Sequence, residues 1–333
     1  MSPPAIFQRL RRFGIDGYLL LLFVMVLLGS VLPASGVFAD VVRIASLLAV
    51  GLLFFLYGAR LDTAAVVAGL ANWRLQGLVL ATTYLAFPVA ALLVALALGP
   101  WLDPHIGMGL LFLGALPSTV QSSIAFTALA RGNVPAALCA ASISNLLGVV
   151  LTPALCAVLL NSQGGINPGA IGGVALQILL PFVLGQLARP WIGDWVRRHR
   201  RFTLSVDRGS ILLIVYSAFS AGMVSGVWSQ VDGLSLALIC AVVTVMLAVV
   251  LFATTAVGRL VGLPAADRLA LLFCGSTKSL ASGVPMAAIL FAGQPVSLII
   301  LPIMLYHQLQ LIVCAVIAQR HAALAEETEA TAA

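Results

Sequence analysis

The sequence predicts an all-α polytopic membrane protein with ten transmembrane helices. Of its 333 residues, 62% are hydrophobic and only 8% are charged. An ordinary soluble domain has roughly 25% charged residues, so this chain has too few charges to cover a water-exposed surface. Long apolar segments recur along the whole chain, whereas a transmembrane β-barrel would show alternating segments of about ten residues. A soluble domain with a single membrane anchor is excluded on the same grounds.

The ten apolar spans are connected by short segments. The spans cover approximately residues 16–33, 41–58, 73–98, 106–131, 135–160, 169–189, 208–228, 234–262, 267–292 and 295–318. Several connections carry turn chemistry, as in Gly99-Pro100 and Asp232-Gly233. No connection is long enough to form a soluble domain, so residues 1–333 are expected to be a single transmembrane unit. The acidic tail, residues 319–333, is expected to be disordered and cytoplasmic.

The basic residues predict the orientation of the spans. With a cytoplasmic N-terminus, fifteen of the 17 basic residues fall in cytoplasmic segments, only Arg43 lies on the other side, and Lys278 lies inside span 9. This bias follows the positive-inside rule. Ten spans return the C-terminus to the cytoplasm, and we expect a location in the bacterial inner membrane. Because the arginines set topology, the net charge of +6 does not indicate nucleic-acid binding.

A weak internal repeat relates the two halves of the chain. An offset of 160 residues places PSTVQSS at 117–123 on TKSLASG at 277–283. Both segments are polar and lie in the fourth span of their half. Since each half has five spans, an odd number, the second half must enter the membrane inverted. Two inverted five-helix repeats with broken helices 4 and 9 are typical of secondary transporters, which bind their substrate near the membrane midplane.

The interruption in span 4 is predicted at Pro117. Proline lacks a backbone N–H and disfavours helical geometry in the residue before it. The polar residues that follow are Ser118, Thr119, Gln121, Ser122 and Ser123. Their oxygens suit a hard cation or a small polar substrate, although a single serine or threonine in a membrane helix more often bonds to the preceding turn or to a neighbouring helix. Five such residues within seven positions beside a proline favour a binding site.

Two further spans contribute candidate residues. In span 5, Ser142 and Asn145 lie three positions apart on one helix face. Asn145 is either a ligand or an interhelical hydrogen-bonding residue, and the sequence favours neither. In span 10, His307 is a second-rank candidate, because a lone membrane histidine is more often a helix contact than a proton relay.

The interruption in span 9 contains Lys278, the only lysine of the protein. The other polar candidates there are Ser276, Thr277, Ser279 and Ser282. A charge at this depth costs roughly 2.5–3.5 kcal/mol on insertion scales and therefore indicates function. All 11 acidic residues lie at span ends, in loops or in the tail, so no carboxylate partner is predicted. The ammonium is then held by hydroxyls and broken-helix carbonyls, deprotonated by burial, or paired with an anionic ligand.

Catalytic and nucleotide-binding motifs are absent from the sequence. It contains no GxSxG, HExxH, P-loop or paired-carboxylate arrangement. The five cysteines lie in apolar spans without a CxxC pair. We therefore expect neither an enzyme nor an ATP-driven pump, and no cofactor other than Na⁺ as a coupling ion.

Three segments resemble the bile acid:sodium symporter (solute carrier family 10) superfamily. They are LPSTVQSSIAFTALARGNVPAALCAASISNLLGVVLTPAL at 116–155, LPFVLGQLARPW at 180–191 and CGSTKSLASGVPMAAILF at 274–291. The strongest resemblance is to its SBF-like branch, the group around solute carrier family 10 member 7 and its bacterial relatives. It implies a panel domain of spans 1, 2, 6 and 7 (about 16–58 and 169–228). Spans 3–5 and 8–10 (about 73–160 and 234–318) would form a core domain in which helices 4 and 9 cross.

The resemblance also implies a sodium site with ligands from helices 4, 5 and 9. The implied counterparts of the helix 4 and 5 ligands are Ser118, Gln121, Ser123, Ser142 and Asn145. Bile acid carriers use an acidic residue in helix 9, whereas this chain has Lys278 and no Asp or Glu between positions 276 and 282.

The expected function is secondary active symport of a small organic anion, coupled to sodium or protons, by alternating access. The alternative is a non-transporting regulatory membrane protein on the same fold. The sequence identifies neither the substrate nor the oligomeric state. Apart from the anion, the expected partner is the lipid bilayer.

Overall fold

The computed structural model describes residues 17–60, 72–161, 175–226 and 232–332. These ranges form thirteen α-helices and contain no β-strand. The helices are α1 (Gly17–Val31), α2 (Gly36–Arg60), α3 (Trp73–Ala81), α4 (Phe87–Leu98), α5 (Pro104–Ala115), α6 (Val120–Leu129), α7 (Val134–Asn161), α8 (Leu180–Arg198), α9 (Arg200–Val224), α10 (Gly233–Leu260), α11 (Ala265–Ser276), α12 (Leu280–Leu290) and α13 (Val296–Ala332). A π-helical turn, Thr82–Ala86, joins α3 to α4, and a second one, Ala175–Leu179, precedes α8.

The protein is an all-helical, multi-pass membrane protein. Six helical segments of the described residues are long and apolar enough to cross a membrane. The helices α5 and α6 form a seventh span if this pair, bent by 58°, is counted as one. Predicted span 9 is divided into the short helices α11 and α12. The first part of predicted span 6 lies outside the described residues.

The short helices α5 and α12 lie at the centre of the packing. The side chains of Leu110 and Phe112 in α5 are fully buried, as are those of Val284 and Ala287 in α12. α5 packs against α4, α7 and α13, while α12 packs against α9 and α13. A helix that is hydrophobic all round is stable only inside a bundle or a membrane. Here, other helices rather than lipid surround the two interrupted segments.

A second group of helices consists of α1, α2, α8 and α9. α2 packs along α8, and α9 packs against both α1 and α2. A Cβ at Gly58 of α2 would collide with the backbone oxygen of Phe182, and a Cβ at Gly185 of α8 would collide with that of Phe55. Small residues let membrane helices approach at backbone distance. The two glycines therefore set the spacing between α2 and α8.

The C-terminal segment differs from the disordered tail that its composition predicts. Helix α13 continues without a break from Val296 to Ala332. Alanine and glutamate, which dominate the segment after residue 320, are strong helix formers. Since the packed part of α13 already supplies a helix nucleus, each added residue only extends it.

Candidate functional site

Both predicted interruptions are present in the described helices. α5 ends at Ala115, and Leu116 is extended with ψ 152°, as expected for a residue before proline. α6 begins at Val120. In the second half, α11 ends at Ser276, and Thr277 is extended with ψ 148°. Ser279 then caps α12, because its hydroxyl oxygen accepts the backbone N–H of Ser282 at 3.2 Å. The second break needs no proline, since this capping serine competes with helical geometry.

The two interruptions contact each other directly. The backbone N–H of Ser279 donates to the carbonyl of Pro117 at 2.9 Å. The hydroxyl of Thr119 donates to the carbonyl of Lys278, also at 2.9 Å. Residues 116–119 and 277–279 therefore satisfy part of each other's backbone. Such pairing is required for non-helical backbone inside a membrane, where water is not available.

Three hydroxyl groups form a buried cluster at the end of α11. The Ser118 hydroxyl donates to the carbonyl of Cys274 at 2.6 Å. The Thr277 hydroxyl lies 3.2 Å from that of Ser118 and 2.7 Å from that of Ser123, and it donates to the carbonyl of Phe273 at 2.8 Å. All three side chains are fully buried. Neutral donors thus satisfy the last carbonyls of α11, which have no partner within the helix.

Asn145 connects α7 to both interruptions. Its side-chain NH₂ donates to the carbonyls of Ser118 at 2.6 Å and Ala141 at 3.0 Å. Its side-chain oxygen accepts the hydroxyl of Ser282 at 2.9 Å. Both donors and one acceptor position are used, so Asn145 makes interhelical hydrogen bonds in this structure. Neighbouring Ser144 accepts the backbone N–H of Ser118 at 3.0 Å.

The Lys278 side chain is fully buried and held by three backbone carbonyls. Its Nζ atom donates to the carbonyls of Thr83 at 2.9 Å, Gly114 at 2.8 Å and Leu116 at 2.7 Å. It also lies 4.1 Å from the centroid of the Phe87 ring, within the range of cation–π attraction. The carbonyl partners are one of the arrangements that the sequence allows. The partners come from α5 and the π-helical turn, and none is a hydroxyl.

The backbone of Lys278 is held by α13. Its N–H donates to the side-chain oxygen of Gln310 at 2.7 Å, and its carbonyl accepts from the Gln310 side-chain NH₂ at 2.9 Å. His307 Nδ1 lies 2.8 Å from the same NH₂ group and 3.3 Å from the Lys278 carbonyl oxygen. Next to it, the Tyr306 hydroxyl donates to the carbonyl of Ser276 at 2.7 Å.

Four of the predicted site residues lie outside this hydrogen-bonded centre. Gln121 is exposed in the first turn of α6, and Ser142 is half-buried on α7. The Ser122 hydroxyl oxygen is buried without a hydrogen-bond partner among the described residues. The Ser276 hydroxyl bonds back to the carbonyl of Leu272 at 2.6 Å. The five implied sodium counterparts are therefore divided between a bonded interior group and the more open positions 121 and 142.

Sequence reasoning missed the carbonyls around Lys278, although one signal for them exists. In the π-helical turn, the N–H of Phe87 bonds to the carbonyl of Thr82, five residues earlier. The same spacing would pair the carbonyl of Thr83 with residue 88, which is Pro88 and has no N–H. The carbonyl of Thr83 is thereby left free to accept from Lys278.

The hydrogen bonds at the two breaks correspond at the offset of 160 residues. Ser118 donates through its side chain to the carbonyl of Cys274, and Lys278 donates to that of Gly114. The two donors are 160 positions apart (118 and 278), and so are the two acceptors (114 and 274). The following long helix holds the backbone at each break, through Ser144 and Asn145 of α7 or through Gln310 of α13.

Comparison with known proteins decides the family of the chain. The sequence profile of the SBF-like CPA transporter family matches residues 16–323. The chain belongs to this family. Its members are transporters rather than enzymes.

Several relatives match over most of their length. The chain is 49% identical over 324 residues to an uncharacterised protein of Pseudomonas aeruginosa, covering 97% of each chain. It is 44% identical over 317 residues to YfeH of Escherichia coli, named as a candidate symporter, covering 95% of this chain and 96% of YfeH. It is also 31% identical over 284 residues to sodium/bile acid cotransporter 7 of Mus musculus, covering 82% of this chain and 81% of the mouse protein.

Proposed function

We propose that this protein is a secondary active transporter that carries a small organic anion in symport with sodium or protons by alternating access. The observation that carries the proposal is the contact between the two interrupted segments, through Ser279 to Pro117 and Thr119 to Lys278. Interrupted helices that meet inside a bundle are the usual place for substrate and ion binding in secondary transporters. The names of the relatives, a symporter and a sodium/bile acid cotransporter, support the same class.

The proposal includes ten spans in two inverted five-helix repeats, with α5–α6 and α11–α12 as crossing helices 4 and 9. The matched hydrogen bonds at positions 118 and 278 support it, because equivalent residues then make equivalent contacts. A panel of α1, α2, α8 and α9 would move against a core of the remaining helices. This division is supported by the packing of those four helices on one another.

We propose the N-terminus of α6 as the place for the anionic group of the substrate. Thr119 precedes α6 without forming a side-chain cap, whereas Ser279 caps α12. The uncapped end presents free backbone N–H groups and the positive end of the helix dipole, both of which favour an anion. Gln121 is exposed on the same turn, and the unpartnered hydroxyl of Ser122 follows it. Lys278 is too deeply buried to reach a substrate in this conformation.

For a sodium ion we propose the counterparts implied by the resemblance, Ser118, Gln121, Ser123, Ser142 and Asn145. Among these side-chain oxygens, that of Asn145 accepts the Ser282 hydroxyl in this structure, and we expect this contact to rearrange when sodium binds. This rearrangement links ion binding to a change at the crossing. In the alternative form of this proposal, the coupling ion is a proton.

Counterflow tests the function. Proteoliposomes loaded with an unlabelled organic anion are diluted into trace labelled anion, over a panel of carboxylates, sulfonates and sulfate conjugates. Accumulation of label above that of protein-free liposomes is expected for at least one anion. Failure of every anion would favour the regulatory alternative. We also propose a location in the bacterial inner membrane, with both termini in the cytoplasm.

Sodium coupling has its own expected result. A ligand that binds only the folded state raises the melting temperature by mass action. Sodium should therefore stabilise the unmodified protein against potassium at equal ionic strength, and Asn145→Ala should shift that response to higher sodium concentration. If sodium does not raise the melting temperature of the unmodified protein, the proton form replaces the sodium form.

A further inference from the structure

The three oxygens around the Lys278 ammonium form a site built by the backbone. Two of them, from Gly114 and Leu116, belong to the C-terminal end of α5 and the residue after it, where carbonyls have no partner within the helix. The third comes from Thr83, whose π-helical partner position is occupied by Pro88. Each oxygen therefore lacks a backbone donor for a local, identifiable reason. The three protons of an ammonium group match the three acceptors.

The charge of the occupant matters as well as its protons. The C-terminal end of a helix carries a partial negative charge, which favours a cation. The Phe87 ring presents its π-face to the same position at 4.1 Å. No carboxylate of the described residues forms an ion pair with Lys278. Among the described residues, the helix end, the ring and the carbonyls stabilise the positive charge.

The corresponding position in the other half provides an internal comparison. There the Ser118 hydroxyl, a neutral group, donates to the carbonyl of Cys274. The Tyr306 hydroxyl, also neutral, donates to the carbonyl of Ser276. The end of α11 is thus satisfied without a cation, whereas the end of α5 is satisfied by one. The two breaks have similar backbone hydrogen bonding, but the side-chain donors are neutral at the end of α11 and cationic at the end of α5.

We propose that the oxygens of Thr83, Gly114 and Leu116, together with the Phe87 ring, are a binding site for a monovalent ammonium-type cation, and that Lys278 is its covalently tethered occupant. A tethered cation completes the crossing but cannot dissociate or be carried across the membrane. As a consequence that rests on the proposed transport function, any exchangeable coupling ion binds elsewhere than in this site.

Chemical rescue tests the site. Lys278→Ala removes the three outer methylenes and the ammonium, which together correspond to propylammonium. The melting temperature of the purified variant in detergent is measured with propylammonium chloride and with tetramethylammonium chloride at equal ionic strength. Propylammonium should raise it by about 2–4 °C at roughly ten times its Kd. Tetramethylammonium, which has the same charge but no N–H donor, should have no effect.

The matched control is Ser118→Ala, which removes the donor at the corresponding neutral position. Propylammonium should stabilise neither Ser118→Ala nor the unmodified protein. Equal shifts with both cations in Lys278→Ala, or the same propylammonium shift in Ser118→Ala, would overturn the proposal. Because the experiment measures thermal stability, its result does not depend on whether the protein transports an anion.

A second variant covers the case in which Lys278→Ala does not fold. In Lys278→Met, the methionine side chain fills most of the space of the lysine methylenes and leaves only the position of the amino group free. The probe for this variant is therefore the ammonium ion itself. Ammonium chloride should then raise the melting temperature more than tetramethylammonium chloride does. If neither variant gives folded protein even when purified with its probe cation, a free cation cannot replace the side chain and the proposal fails.

Discussion

Lys278 places a positive charge among hydroxyl, amide and backbone groups that are uncharged. The insertion cost of such a charge is offset by three charge-assisted hydrogen bonds, of 2.7–2.9 Å, and by the Phe87 ring. Because every ammonium proton has an acceptor, the side chain fastens α5 and the π-helical turn to the second break. The side chain therefore has a structural role in this conformation.

Lys278→Met should destabilise the protein. It relieves a buried charge but leaves three buried carbonyls without a donor, each of which costs about 1–3 kcal/mol. Ser118→Ala leaves one carbonyl without its donor and should cost about 1–3 kcal/mol. Thermal unfolding of both variants in detergent measures the difference. A melting temperature of Lys278→Met equal to or above that of the unmodified protein would show that the carbonyl contacts contribute little.

Gln121→Glu should weaken anion transport. A carboxylate on the first turn of α6 competes for the same helix end as the substrate anion, whereas Gln121→Ala removes only one amide. Charges near a helix end contribute about 0.3–1 kcal/mol at exposed positions, so KM should rise about two- to fivefold for the glutamate variant. KM is measured with the anion found by counterflow. Equal KM values for the Glu and Ala variants would show that the substrate anion does not bind at this helix end.

At the scale of helices, close packing between α2 and α8 depends on glycine. Gly58→Ala puts a methyl group against the backbone oxygen of Phe182, and overpacking of this kind costs about 1–3 kcal/mol. Gly51→Ala is the matched control, because the same change in the same helix meets no atom within 4 Å. It should be neutral or stabilising by about 0.5–1 kcal/mol, since alanine is the better helix former. Similar melting temperatures for both variants would refute this packing.

The positions of the breaks could be predicted from the sequence, but most of their partners could not. Pro117 is a local signal for the first break, and the polar residues at the offset of 160 indicate the second. In contrast, the partners of Lys278 lie 162–195 positions away in sequence. Which carbonyls they are depends on where α5 ends and on the π-helical turn. Sequence periodicity does not reveal such a turn, and only Pro88 hints at it.

At the scale of the whole molecule, two halves meet at their interrupted helices. The buried centre consists of α5 and α12, and the hydrogen bonds that join the breaks come from both halves. The group of α1, α2, α8 and α9 contacts this centre mainly through α9. Alternating access would require the core and this panel to slide or rotate against each other.

The most direct test of alternating access does not require the substrate to be known. Cys139, Cys156, Cys240, Cys274 and Cys314 are replaced, and Gln121→Cys is introduced into that background. A membrane-impermeant maleimide is then applied to right-side-out and to inside-out vesicles. Val37→Cys and Ser205→Cys, at exposed positions expected on opposite sides of the membrane, serve as controls. Each control should be labelled from one side only, whereas Cys at position 121 should be labelled from both. Labelling of position 121 from a single side under every ion condition would contradict alternating access at this site.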